Sequence, residues 1–267
     1  MRRLLKVFAW LAAIIVVLYG AICIYFYSAQ DGMLFPATKF GSAHQYKFDV
    51  PFKEYKINAG EDTLSGVLFK ADKPTGLIFY LHGNGGTVED WSIISPLYTM
   101  LGYDLFIIDY PGYGKSTGHI TNEAKLITEL QAAYETVKAG YTDKPTVFMG
   151  YSIGTGLAAQ LASKNECKQL VLMAPYYSMP DLAKSLYPFL PSAILKYRLE
   201  TYKYLPKVKA PVTIFHGLDD GLIYYGSSIK LKKHFKATDR LFLLKNQGHN
   251  EIQRNPDFQK EIKKVLL

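Results

Sequence analysis

Five short apolar runs constrain this 267-residue chain more than any other feature: residues 76–81, 105–108, 146–149, 170–173 and 212–215. Each is continuously apolar rather than alternating. A strand with one wet face alternates, whereas a continuous run suits a strand covered on both faces, as in a parallel sheet. Stretches with helical character separate the runs, at about 88–101, 122–139, 153–164, 225–235 and 256–265. Strand-helix alternation builds right-handed crossovers, so the expected fold class is α/β, a mostly parallel central sheet with helices on both faces. Two further strands, 52–58 and 63–70, form a hairpin ahead of the first run through Ala59-Gly60-Glu61-Asp62. No repeat of about 20–50 residues is present, which sets aside solenoids and propellers.

The polar motifs sit where the apolar runs end. His82-Gly83-Asn84-Gly85-Gly86 follows the first run and Asp109-Tyr110-Pro111-Gly112-Tyr113-Gly114-Lys115-Ser116 the second. Gly150-Tyr151-Ser152-Ile153-Gly154 follows the third, and His216-Gly217-Leu218-Asp219-Asp220 closes the run from residue 212. Gln247-Gly248-His249-Asn250 follows one more strand at 241–244. All of them therefore gather along one edge of the sheet, where open α/β sheets bind ligands.

Among these motifs, G-Y-S-I-G lies between a strand and a helix, the setting of a nucleophile elbow. A side chain in place of either glycine would collide with the neighbouring strand and helix. Ser152 is a weak nucleophile until a base lies within hydrogen-bond reach. Of six histidines, His249 fits best, in a polar turn after the last strand. His82 and His216 each precede a glycine at a strand end and read as turn-orienting residues, while His234, in Lys-Lys-His-Phe-Lys, reads as part of a solvated helix face. The base needs a carboxylate to fix its tautomer, and Asp219 and Asp220 both offer one. The oxyanion of an acyl-transfer intermediate needs two donors. The N–H of Ile153 is one, and the 82–86 turn supplies the other. That turn lacks the G-x-x-x-x-G-K-[ST] pattern of a phosphate loop. Asp109 reads as a structural acid anchoring its glycine-rich loop.

The ends of the chain add a compartment. Residues 7–27 carry no charge, follow Arg2, Arg3 and Lys6, and hold Trp10 at one end and Tyr25-Phe26-Tyr27 at the other. That length crosses a hydrocarbon core, with aromatic residues at its borders. A cleaved signal peptide is the rival reading, but its apolar region is shorter and ends in small residues. The expected division is a transmembrane anchor over 1–29 and one globular domain over 30–267, with Asp31-Gly32 and Phe35-Pro36 as turns in a connector. The positive flank places the N-terminus in the cytoplasm and the domain outside, extracytoplasmic or periplasmic. The net charge of +8 comes without zinc-finger spacing, RNP-like motif or groove-binding basic helix, so no nucleic-acid partner is expected, and membrane lipid is the natural counter-charge. The two cysteines, Cys23 and Cys167, are not expected to pair. No cofactor and no metal are expected, and protein partners stay open.

Between about 176 and 206 the alternation stops. The stretch is apolar and aromatic, and Pro180, Pro188 and Pro191 break it into short pieces. It reads either as a small lid lining an acyl pocket or as a helix pair packed on the core. Tyr151, Tyr176, Tyr177, Phe189 and Leu190 are the candidate substrate contacts.

The segments H-G-N-G-G, D-Y-P-G-Y-G-K-S, G-Y-S-I-G, H-G-x-x-D-x-x-I and G-H-N together resemble the α/β-hydrolase fold from about residue 50 to the C-terminus. With the N-terminal anchor they are similar to the membrane-anchored α/β-hydrolase-domain proteins and their bacterial relatives. The resemblance implies a serine hydrolase of the carboxylesterase, lipase or thioesterase type, acting on acyl esters or thioesters. A peptidase or amidase of the same fold and a non-catalytic binding protein are the alternatives. It also selects Asp220 over Asp219, names the N–H of Asn84 as the second oxyanion donor, and gives the triad order Ser152, Asp220, His249. Tyr224 departs from the pattern, standing where relatives often carry proline.

Overall fold

The computed structural model describes residues 1–41 and 43–267. The first element is a single helix, α1 (Arg2–Leu34), long and apolar enough to cross a membrane. It continues past the expected boundary at residue 29, so Asp31-Gly32 lies within a helix and not in a turn. The reason is tertiary. The Gln30 amide donates to the Ile194 carbonyl at 2.8 Å and accepts from the Lys196 N–H at 2.8 Å, while Asp31 accepts from Lys196 Nζ at 2.9 Å and the Tyr197 hydroxyl at 2.8 Å. The connector begins instead at Phe35, whose ring is buried edge-on against Tyr197.

The sheet has eight strands: β1 (Phe52–Ala59), β2 (Asp62–Phe69), β3 (Gly76–Leu81), β4 (Tyr103–Asp109), β5 (Thr146–Tyr151), β6 (Gln169–Met173), β7 (Val212–Gly217) and β8 (Arg240–Leu244). Their spatial order is β1-β2-β4-β3-β5-β6-β7-β8. Only β2 runs against its neighbours, and every pair from β4 to β8 is parallel. Each residue of β3, β4, β5, β6 and β7 is buried, which is why these strands read as continuous apolar runs.

Helices cover both faces. The expected helix over 88–101 is three pieces, α2 (Val88–Trp91), a 3₁₀ turn and α3 (Ser95–Thr99). Pro96, in the first turn of α3, has no N–H to continue a helix from upstream. α4 (Glu123–Lys138) starts on the side chain of Asn122, which accepts from the Lys125 N–H. α5 (Gly154–Lys164) follows the serine turn and is buried along nearly its whole length. The 176–206 stretch forms a cap of short pieces: α6 (Met179–Leu186), capped by Ser178, a 3₁₀ turn at Ser192–Ile194, and α7 (Thr201–Tyr204). α8 (Gly226–Lys232) stops short of residue 235, and α9 (Pro256–Leu266) closes the chain.

α5 crosses the ends of β3 and β5 with no room to spare. A Cβ at Gly150 would strike the Gly154 backbone, and one at Gly154 would collide with the carbonyl oxygens of Leu81 and His82. Those obstacles are backbone and cannot rotate away. Gly154→Ala should therefore cost roughly 1–3 kcal/mol of stability through overpacking. Gly140, with open space around it, gives the matched control. Chemical denaturation midpoints should drop for Gly154→Ala and stay near wild type for Gly140→Ala.

Candidate active site

Ser152 occupies the turn between β5 and α5 with φ of 52°, a left-handed conformation that a serine adopts only under constraint. Its N–H is tied to the Met173 carbonyl at 2.9 Å, and its own carbonyl accepts from the Thr155 N–H and hydroxyl. The surrounding packing thus holds the strained residue with its hydroxyl at the end of the sheet. The Oγ–H donates to His249 Nε2 at 3.0 Å, and His249 Nδ1–H donates to Asp220 Oδ2 at 2.7 Å. The tautomer follows from the partners, since an ionised carboxylate can only accept. The three side chains come from turns after β5, β7 and β8, which parallel pairing brings to one edge.

Asp220 is enclosed. Burial opposes its ionisation, but hydrogen bonds from His216 and His249 and the Ile223 N–H outweigh burial and hold its pKa well below the usual carboxylate range. Its Oδ1 accepts from the backbones of Leu222 and Ile223, at 2.9 and 2.8 Å. Its Oδ2 serves both His249 and, at 3.2 Å, His216 Nε2. Asp219 takes no part; its N–H donates to the Gln247 carbonyl as a turn residue. His216 does more than orient a turn. It is fully buried, Nδ1 lies 2.6 Å from the Ser228 hydroxyl, and Nε2 also sits 2.8 Å from the Ile223 carbonyl. The four-residue step from His216 to Asp220 was its signal in the sequence.

The glycine-rich turn after β3 lies against the serine. A Cβ on Gly83 would come within 3.8 Å of the Ser152 Cβ. Among the described residues, neither the Asn84 N–H nor the Ile153 N–H donates to another protein group, as an oxyanion pocket requires. Tyr113 holds the turn by donating to the Asn84 carbonyl at 2.7 Å, and Tyr110 by donating to that of His82 at 2.7 Å. His82 itself donates from Nδ1 to the Gly83 carbonyl, and burial pushes its pKa down to about 4, which keeps the ring neutral. Asp109 accepts from the Val88 N–H at 2.8 Å and the Tyr46 hydroxyl at 3.2 Å, and its carboxylate fills the space where Gly114 lacks a side chain. Burial drives its pKa up to about 6 against those hydrogen bonds.

The candidate substrate contacts do not lie together. Tyr151 is buried beside the triad, donates to the His249 carbonyl and packs on Trp91. With Gly85, Gly86, Trp91, Asn250 and Glu251 it lines a cavity of about 370 Å³. Tyr176 is fully buried under α5, where its hydroxyl donates to the Ile153 carbonyl at 3.0 Å and uses the space left by Gly156. It supports the elbow from below and offers no surface to a ligand. Tyr177 stacks on Tyr202, with His234 packed beside both, so His234 is half-buried and not on an open helix face. Phe189 and Leu190 face α1: Phe189 lies 6.2 Å from the Phe26 ring, and Leu190 lines an apolar cleft there.

The fold and motif order define the class, an α/β-hydrolase-fold protein. The family model for the alpha/beta hydrolase fold matches residues 76–200. Alpha/beta hydrolase domain-containing protein aho-3 of Caenorhabditis elegans is 26% identical over 198 residues, covering 72% of this chain and 58% of that protein. The Homo sapiens alpha/beta hydrolase domain-containing protein 17C is 25% identical over 216 residues, covering 77% and 63%. This chain thus spans about three fifths of the length of these curated relatives. In structure it is similar to an esterase of Pyrococcus furiosus, with a TM-score of 0.69 and 18% identity over 86% of this chain and 95% of that one. A soluble variant of monoglyceride lipase from Saccharomyces cerevisiae superposes with a TM-score of 0.64 and 17% identity, covering 85% and 98%. The chain has the α/β-hydrolase fold and resembles the alpha/beta hydrolase domain-containing proteins.

The sign of the Asp220 shift sets a pH dependence. An unfolded aspartate protonates near pH 3.9, roughly, whereas the folded one stays ionised to lower pH. Its contribution to stability is therefore complete above that range and lost as pH falls through it and below. Urea midpoints should show wild type more stable than Asp220→Asn near neutrality, with the gap unchanged down to about pH 5 and narrowing as pH falls through about 4 and below.

Proposed function

We propose that the protein is a membrane-anchored serine hydrolase that cleaves carboxylic ester or thioester bonds of acyl, lipid-like substrates. The observation that carries this reading is the unbroken hydrogen-bond chain from the Ser152 hydroxyl through His249 to Asp220. In the proposed reaction Ser152 Oγ attacks the acyl carbonyl as His249 Nε2 takes its proton. Asp220 stabilises the imidazolium formed, and the N–H groups of Asn84 and Ile153 receive the oxyanion. Collapse of the tetrahedral adduct expels the alcohol or thiol, protonated by His249, and leaves an acyl-Ser152 ester. Water, deprotonated by His249, then attacks that ester and releases the carboxylic acid. The esterase and lipase among the structural neighbours support the ester chemistry.

Fluorophosphonate labelling of the purified chain, with an ester and thioester panel alongside, tests this. Wild type should label and turn over, and Ser152→Ala should do neither. His249→Ala and Asp220→Asn should lower kcat by roughly three to four powers of ten with folding retained, whereas Asp219→Asn should stay near wild type. Labelling that survives in Ser152→Ala would place the nucleophile elsewhere, and an unlabelled, inert wild type would favour a binding role.

The apolar length of α1 and the Arg2, Arg3 and Lys6 flank support an anchor with a cytoplasmic N-terminus and an extracytoplasmic domain. A reporter that works only outside the cytoplasm, fused after Leu267, should be active. Activity of a cytoplasm-only reporter at the same position would reverse the orientation.

A further inference from the structure

Helix α1 carries a contact stripe that an anchor alone does not need. Tyr19, Phe26, Gln30 and Met33 recur at seven-, four- and three-residue steps, one face of a helix, and all four meet the cap. These contacts measure depth. Residues 7–27 cover about 30 Å at 1.5 Å per residue, close to the thickness of a hydrocarbon core, roughly 30 Å. The outer headgroup level is marked by Tyr27, Asp31 and Lys196, whose ammonium sits 4.9 Å from the Tyr27 ring centre and 2.9 Å from the Asp31 carboxylate. One residue in from Tyr27, about 1.5 Å along the axis, the Phe26 ring meets Tyr187 at 5.3 Å and Phe189 at 6.2 Å. Deeper again, the Tyr19 hydroxyl donates to the Phe189 carbonyl at 2.8 Å. Tyr19 lies about 12 Å along the axis from Tyr27, and helical side chains lean toward the N-terminus, which here points further inward.

The cap follows that gradient. Leu186 and Phe189 at its tip are 45% and 53% exposed, an apolar end with no protein over it. Between the tip and α1 lies a cleft of about 100 Å³ lined by carbon-rich side chains, among them Phe26, Met33, Leu182, Leu186, Leu190 and Ile194. Gln30 is the one polar side chain in its wall apart from the Tyr187 and Tyr197 rings, and both ends of its amide are already bonded to cap backbone.

We propose that the cap tip, residues 186–190, lies below the lipid headgroups of the leaflet entered by α1, packed against the helix. This rests on the anchor reading given above and deepens it. The tip's partner is membrane lipid because Phe189 meets α1 at Phe26 and Tyr19, inside the apolar span, and the exposed Leu186 and Phe189 side chains have no protein over them beside the helix that spans the bilayer. The polar clamp of Gln30 and Asp31 at the headgroup level holds the cap at that height.

Tryptophan quenching by brominated lipids tests the placement without relying on enzymatic turnover. The full-length protein is reconstituted in phosphatidylcholine vesicles brominated on the acyl chains, with unbrominated vesicles as reference. The emission added by Phe189→Trp reports the tip, that added by Asp143→Trp, on the exposed loop before β5, reports a distant surface, and the emission lost in Trp10→Phe reports the anchor. The emission added by Phe189→Trp should lose most of its intensity in brominated vesicles, as should the Trp10 contribution, while the emission added by Asp143→Trp should persist. Strong quenching of Trp10 with no quenching of the emission added by Phe189→Trp would overturn the tip placement and leave the anchor standing. An unquenched Trp10 would overturn both. Neither result bears on Ser152 chemistry, which the fluorophosphonate experiment reads separately.

Discussion

Everything at the active edge depends on one crowded crossing, the passage of α5 over the ends of β3 and β5. The close approach is possible only because Gly150 and Gly154 present bare backbone to each other and to Leu81 and His82. The same approach forces Ser152 into a left-handed turn, at a cost of about 1–2 kcal/mol. The buried sheet and α5 offset that cost many times over, and what remains is a hydroxyl fixed in place before any ligand arrives. Tyr176 completes the support from the other side, with its hydroxyl on the Ile153 carbonyl.

Two buried aspartates show how environment assigns different work to one side chain. Asp109 is buried with no imidazole beside it, its carboxylate accepting from the Val88 N–H and the Tyr46 hydroxyl, and burial drives its pKa up to about 6. It braces the loop around Gly114 and the start of α2. Asp220 loses solvent as well, yet two imidazoles and two backbone N–H groups converge on it, and its charge is held. His216 sits behind that carboxylate and takes up the lone pairs that His249 does not use. This second imidazole helps keep the acid ionised.

Much of this was legible in the sequence because the constraints are local. Continuous apolar runs gave the parallel strands, and the glycine spacing around Ser152 gave the turn. What escaped involves partners far apart in the chain. Gln30 and Asp31 look like the start of a connector until residues 194–197, over 160 positions away, are packed beside them. Tyr176 and Phe189 both read as lid aromatics, yet one fills the hole left by Gly156 and the other stands in the open. Aromatic residues next to prolines look alike whether they line a slot or brace a helix, and only the fold separates them. Pro96 divided a helix that the apolar pattern had joined.

The absence of a joint between α1 and the body has a mechanical consequence. A domain on a loose tether sweeps a volume set by its linker and meets ligands from any side. Here the last turn of the helix is bonded to the cap through Gln30, Asp31 and Phe35, so helix and domain move as one rigid strut. Held in a bilayer as proposed, such a body would diffuse sideways and spin about its axis, but its Ser152 edge would stay at one height and one tilt. Under that proposal its search would be two-dimensional, and a bond would be within reach only if carried at the level where Ser152 is held.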